Sequence, residues 1–246
     1  MAYVTLSSKA IGSTVKIAVG GKDYDWLVMH QGLPSSVYDD SCNGTWLMMK
    51  DIYTTMAFND GGTNTTYDKS IVNAYLNSTF FNLIDSEIRN AVKRVKIPYG
   101  YGSYVYSGAS GLSCKAFLLS GTEAGSIGYA NMNVEGAKLS YFSATNEHDN
   151  KRVAYNGGKA GEWWLRSMHL GINRTWTVDY DGSIGTEDST GTTGVRPCMI
   201  LPATLLVSDD GTVSTNTAPS TPGSISVPSS IMGGTNISIS WEKSSD

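Results

Sequence analysis

Charge is what the chain has least of. Charged residues fill 16% of its 246 positions, where an ordinary soluble domain has roughly 25%. A disordered acidic segment is excluded all the same, because 14 tyrosines and many β-branched residues are present. Glu, Lys, Leu and Ala are too sparse for a helical bundle or coiled coil. A net charge of -4 and a pI near 5.4 offer no basic stripe for nucleic acid. No run approaches the ~18 apolar residues of a membrane span. The start, Met1-Ala2-Tyr3-Val4-Thr5-Leu6, lacks the basic-then-apolar pattern of a signal peptide, so the expectation is synthesis in a bacterial-type cytoplasm without export. Cysteine is scarce as well. Cys42, Cys114 and Cys198 are odd in number, far apart and outside any CxxC, which predicts reduced, partly buried thiols rather than a disulfide frame or zinc site. The three histidines (His30, His148, His169) have no acidic partner at helical spacing. GxSxG, HExxH, Walker and helix-opening GxGxxG patterns are all missing.

What is present is glycine (27 residues), tyrosine, Ser, Thr and Asn, the composition of a loop-rich, β-containing fold. Val15, Ile17 and Val19 alternate with polar residues, Gly20-Gly21 turns the chain, and Tyr24, Trp26 and Val28 resume the alternation, which predicts a hairpin over 13–29. Trp46–Met49 reads as an interior strand. Asp68 reads as the N-cap of a helix with Ile71, Val72, Tyr75, Leu76, Phe80 and Leu83 on its stripe, and a second short helix starts at Asp85 with Ile88, Ala91, Val92 and Val95 inward. Arg89, Lys93 and Arg94 near the end of that helix complement its dipole. Tyr99–Tyr106 reads as an irregular Tyr/Gly/Ser loop, Lys115–Leu119 as a compact strand, and 121–160 as mostly loop. Trp163-Trp164-Leu165-Arg166-Ser167 is the densest aromatic point, and Val195–Leu201 reads as the last interior strand. Past Leu206, 208–222 reads as a turn and linker. Ile225, Val227, Ile237, Ile239 and Trp241 then suggest two strands of a truncated module or appendage over 223–246.

The candidate site lies between the tryptophans and the last strand. Alternation puts Trp176 and Val178 inward and Thr177, Asp179 and Asp181 outward. With His169, Leu170, Asn173, Arg174, Tyr180, Ser183, Ile184, Thr186, Glu187 and Asp188, these form one expected ligand-binding face. A recognition surface and a plain solvent-facing hairpin both fit this composition. Asp179, Asp181 and Glu187 can also be drawn as an acid pair or a calcium loop. Gly182 and Glu187 stand at the wrong places for an EF-hand, so solvated turn carboxylates, with no metal or cofactor, are the expectation. Trp26, Trp46, Trp163, Trp164 and Trp176 should be buried, and Arg166 and Arg196 should be structural.

These residues also carry a resemblance. Trp163–Ser167, the Trp176 strand, Asp181-Gly182 and Gly194-Val195-Arg196-Pro197 resemble the WWLRS…GVRP signature of a domain-of-unknown-function family widespread in Firmicutes and their phages. Asp39–Tyr53, Tyr75–Phe80, Val95–Pro98 and Gly111–Lys115 resemble a subgroup found in phage structural proteins. The resemblance covers roughly 1–213. It implies an α+β, C-type-lectin-like domain over 1–207, akin to formylglycine-generating enzymes and to retroelement-diversified variable proteins. Met168 replaces the usual Pro, and Cys198-Met199 the usual Ala-Leu. The lectin calcium-sugar motifs and the oxidase cysteine pair are absent. Pro219-x-x-Pro222 through Trp241 resembles the start of a fibronectin type III module. The function so implied is non-enzymatic recognition of a bacterial surface protein or glycan by a virion protein, with other virion proteins as further partners and neither nucleic acid nor membrane insertion. The alternatives are a polysaccharide-acting enzyme using Asp179, Asp181 or Glu187, and an inert virion decoration protein.

Overall fold

The computed structural model describes residues 3–61 and 66–215. The fibronectin-like strands expected around Ile225–Trp241 lie outside the described residues. The fold is mostly β-sheet with a few short helices, broadly α+β. No helix among the described residues is long and apolar enough to cross a membrane.

Two five-stranded sheets organise the domain. The first runs Ala116–Phe117, Cys198–Leu201, Gly44–Met49, Lys22–Gly32, Thr14–Val19 in spatial order. Its outer pair is the hairpin expected from the alternation: Val19 faces Lys22 across the Gly20-Gly21 turn, and both glycines take the positive φ that such a turn requires. Gly44–Met49 is central and buried along its whole length, which is why it reads as an uninterrupted apolar run. The second sheet runs Ile184–Asp188, Arg174–Val178, Trp163–Met168, Thr192–Val195, Thr54–Ala57.

Two short links carry the chain between the sheets, one from Met49 to Thr54 and one from Val195 to Cys198. Val195–Leu201 is therefore two strands rather than one. Pro197 has no N–H to donate to a ladder, so the strand breaks there and changes sheet. Arg196 fastens both crossings. Its Nε donates to the Met49 carbonyl (3.0 Å) and Nη2 to the Lys50 carbonyl (2.6 Å), while the guanidinium lies 4.9 Å from the centre of the Trp163 ring. Burial pulls its pKa down to about 10.

All five tryptophans expected inside are buried, from Trp26 at 0% exposed to Trp176 at 5%. The helical segment covers this core with Val72, Leu76, Phe80, Ile88 and Val92, whereas Leu83 is exposed. Ser70 caps the first helix, accepting from the Asn73 N–H at 3.1 Å. Asp68 instead sits within a single 3-10 turn, Tyr67–Lys69. Asp85 caps the second helix as expected, accepting from Glu87 N–H at 3.0 Å. The Asp209–Gly211 turn joins the strands Leu206–Ser208 and Val213–Ser214, which pair with each other and with Tyr3–Thr5. The three cysteines are free and buried.

Candidate binding site

The strand Trp163–Met168 positions everything near the site. It is buried through Ser167 because it is the middle strand of its sheet, so successive side chains meet protein on both faces. Trp163 Nε1 donates to the Arg152 carbonyl and Trp164 Nε1 to the Met56 carbonyl, both at 2.9 Å. Arg166 is fully enclosed. It grips Glu123 bidentately, with Nη1 at 2.5 Å from Oε2 and Nη2 at 2.8 Å from Oε1, while Nε donates to the Pro98 carbonyl at 2.9 Å. The Glu123 carboxylate holds the guanidinium charged even though burial opposes it.

Glu135 is a second buried carboxylate at this centre. Its Oε2 accepts from Ser167 Oγ (2.9 Å) and lies 3.8 Å from Arg166 Nε, and its Oε1 accepts from the Gly100 N–H (2.9 Å). Burial, then the neighbouring Glu123 charge, raises its pKa to about 7, with Arg166, Ser167 and Gly100 opposing the rise.

Through Gly100 this network anchors residues 99–106. They form a hairpin, Tyr99–Tyr101 with Tyr104–Tyr106, rather than the irregular loop expected. The turn is Gly102-Ser103, with Gly102 at φ 57; the Tyr/Gly texture hid a two-residue loop. A Cβ on Gly100 would stand 2.5 Å from both Glu135 Oε1 and Asn133 Nδ2, so the close approach needs glycine. Asn133 Nδ2 holds the turn through the Gly102 carbonyl at 2.8 Å. The Tyr99 and Tyr106 rings stack at 5.5 Å, leaving Tyr101 at 43% and Tyr104 at 74% exposure.

Between this hairpin and residues 168–172 lies a small cleft of about 80 Å³, walled by Gly100, Gly102, Asn133, His169, Leu170 and Ile172. The His169 ring stacks on Trp176 at 5.5 Å, Tyr129 covers Trp176 at 4.5 Å, and His169 Nδ1 is buried without a hydrogen-bond partner.

The expected continuous face is not formed. Thr177 and Ile184 are buried. Ile184 donates its N–H to the Asn146 carbonyl and its own carbonyl accepts from Tyr129 Oη, so residues 127–146 lie over what was expected to be a solvent side. Thr177 faces Asp179 and Glu162. Arg174 Nε donates to Thr186 Oγ1 at 3.0 Å, binding two expected ligand contacts to each other. Ser183 Oγ donates to both Asp179 (3.3 Å) and Asp181 (2.7 Å), and Asp188 accepts from the Thr190 N–H and hydroxyl. These carboxylates fix turns. Burial raises the pKa of Asp179, whereas Ser183 lowers that of Asp181. Tyr180 and Asp188 are exposed, Asn173 and Glu187 are half-buried, and no group of three His, Cys, Asp or Glu side chains is placed to hold a metal ion among the described residues. His169 and Leu170 alone of the expected set enter the cleft.

Residues 43–203, well over half of the chain, match the family model for a domain of unknown function, DUF6273. The chain belongs to this family. The DUF6273 match takes in the crossings, the Arg166 network and the cleft, while the hairpin Thr14–Gly32 precedes it and completes the first sheet. No curated protein and no solved structure matches the chain.

Sequence reading missed Gly100, Gly102, Asn133 and Ile172 in the cleft and Glu123 and Glu135 beneath it. The last two did carry a signal: they are the only charged residues between Ala116 and Ala137. A lone carboxylate in an uncharged stretch is a candidate partner for a buried arginine.

Proposed function

We propose that this DUF6273 chain is a non-enzymatic recognition module with a C-type-lectin-like architecture, carried on a phage or prophage particle, that binds a bacterial surface protein or glycan at the tyrosine cleft. One observation carries the reading: Gly100 and Gly102 of the tyrosine hairpin line a cleft with exposed Ile172, the same hairpin presents exposed Tyr101 and Tyr104, and Glu135, beside Arg166, fixes it from below through the Gly100 N–H. Tyrosine offers a large contact area with little rotamer entropy to lose, and a preformed base lowers the ordering cost of binding. The exposed apolar side chains serve no core, which is what a partner surface looks like. The virion setting comes from the WWLRS…GVRP resemblance, and the cleft is argued from its own geometry.

Fluorescently labelled protein tested against a panel of bacterial cells decides the matter. Tyr101→Ser with Tyr104→Ser is expected to abolish cell binding at an unchanged melting temperature. Asp181→Asn with Glu187→Gln is expected to leave binding intact. Binding lost only in the carboxylate variant, or release of soluble saccharide from cell-wall glycan by the wild type, would reject the cleft and favour the polysaccharide-acting enzyme.

A further inference from the structure

Two cations on different segments of this charge-poor chain, Arg94 and Lys115, line one cleft. In the last turn of the helix Ser86–Ala91, Arg89 Nη1 donates to the Asn82 carbonyl (2.8 Å), and just after it Lys93 Nζ donates to the Asn43 carbonyl. Arg94 makes neither an ion pair nor a hydrogen bond among the described residues. Lys115 likewise has no carboxylate, and its ammonium rests 4.8 Å from the centre of the Phe81 ring. Helix-dipole complementarity accounts for Arg89 and Lys93. It does not account for two cations on different elements facing one cleft.

That cleft has a volume of about 220 Å³ and shares no lining residue with the tyrosine cleft. Arg94, Lys115, Ser113, Asn77 and Phe81 line it, and no Asp or Glu does. Its walls are fixed rather than fortuitous. Leu76–Phe80 is wound as a π-helix, a widened turn that costs hydrogen-bond geometry and is concentrated at functional sites. Asn77, on that turn, accepts at Oδ1 from the Lys115 and Ala116 N–H groups (2.9 and 3.3 Å) and donates from Nδ2 to the Ala116 carbonyl (2.9 Å). The segment bearing Lys115 is thereby locked to the helix, and its side chain is carried toward the side where Arg94 stands.

We propose that this cleft binds the phosphate group of a sugar or polyol phosphate ester. The Arg94 guanidinium from one segment and the Ser113 hydroxyl and Lys115 ammonium from another supply the donors, which suits the several oxygens of a tetrahedral dianion. The cleft is larger than an oxyanion needs, and the Phe81 ring beside Lys115 gives the carbon skeleton of the ester an apolar wall. Anion attraction at such a site weakens with salt.

The test is a titration of the full, isotope-labelled chain at low ionic strength with glucose 6-phosphate, inorganic phosphate and glucose, read from backbone amide shifts. The phosphate ester is expected to shift the Asn77, Ser113 and Lys115 amides saturably, and glucose to leave them unmoved. Arg94→Gln with Lys115→Gln should weaken the ester by at least about ten-fold, two charge-assisted donors being lost, while Lys115→Arg should retain binding. Phe81→Ala should reduce the ester to the affinity of inorganic phosphate. The site is overturned if neither phosphate ligand gives a saturable shift, or if the double Gln variant, folded by its amide spectrum, binds as the wild type does. Inorganic phosphate binding as tightly as the ester to the wild type would keep the phosphate site and overturn the ester assignment.

Discussion

Replacing Glu135 by Gln should remove a pH dependence from folding stability that the wild type carries. Arg166 is already neutralised bidentately by Glu123, so an ionised Glu135, 1% exposed, is a surplus buried negative charge. Its pKa of about 7 compares with 4.5 for an ordinary glutamate. Between those values the folded state binds more protons than the unfolded one, so stability falls as pH rises. The contribution is fully present below pH ~4.5 and fully lost above pH ~7, with a total on the order of 3 kcal/mol. Glutamine keeps the Gly100 contact through its carbonyl and offers Ser167 an amide donor without a charge. The groups facing Glu135 are Arg166, Glu123, Ser167 and the Gly100 N–H, and all remain in the variant. Urea unfolding of both proteins at intervals from pH 4.5 to 8 gives the stability difference, in which titrations common to the two cancel. The Gln variant should gain on the wild type by about 3 kcal/mol across that range. Parallel stability curves for the two proteins over pH 5–8 would refute a surplus carboxylate.

Arg166→Met leaves Glu123 buried without its partner and should cost about 3–5 kcal/mol of unfolding free energy by urea titration. Gly100→Ala drives a Cβ to within 2.5 Å of Glu135 Oε1 and Asn133 Nδ2. Its amides at 99–106 should exchange with deuterium faster, while the central strand Gly44–Met49 keeps its protection. Burial pushes the thiol pKa of Cys42 up to about 11 and of Cys114 up to about 12. With Cys198 buried as well, native protein at mildly alkaline pH should resist maleimide, and all three cysteines should react once urea unfolds it.

Elements with one strong local signal were legible in advance. The hairpin across Gly20-Gly21, the buried strand at Trp46, the Asp85 cap and the structural roles of Arg166 and Arg196 rest on periodicity, turn chemistry and the difficulty of leaving a buried guanidinium unpaired. The errors share a cause. Alternation reports which side chains differ in polarity, not what comes to lie on either side of a strand. Thr177 and Ile184 are buried because residues 127–146 and the side chains of Glu162 and Asp179 cover them, and those contacts connect positions far apart in sequence. Pro197 breaks Val195–Leu201 at a crossing that becomes visible only when the Met49–Thr54 crossing is placed beside it. The cleft was half legible, since His169 and Leu170 were expected at a ligand-binding face and do line it. Its base was not, because Glu123 and Glu135 approach Arg166 only through the fold.

The WWLRS segment can therefore be divided by what each residue holds. Trp163 ties the second crossing to Arg152 and Arg196, Trp164 ties the sheet to Met56, Arg166 draws in Glu123, and Ser167 draws in Glu135 and, through it, the tyrosine hairpin. Every one of these side chains is buried, and a change at any of them strands a partner in the interior, where an unsatisfied polar group costs about 1–3 kcal/mol and an unpaired charge more. The segment that follows is different in kind. Gly171 and Ile172 are exposed at the lip of the cleft, with their backbone held by Leu170 N–H to the Asn131 carbonyl and Arg174 N–H to the Ile172 carbonyl, both at 2.9 Å. Side chains here can change while the main chain stays anchored, so this lip and the Tyr101–Tyr104 turn are where substitution comes at the least cost to folding.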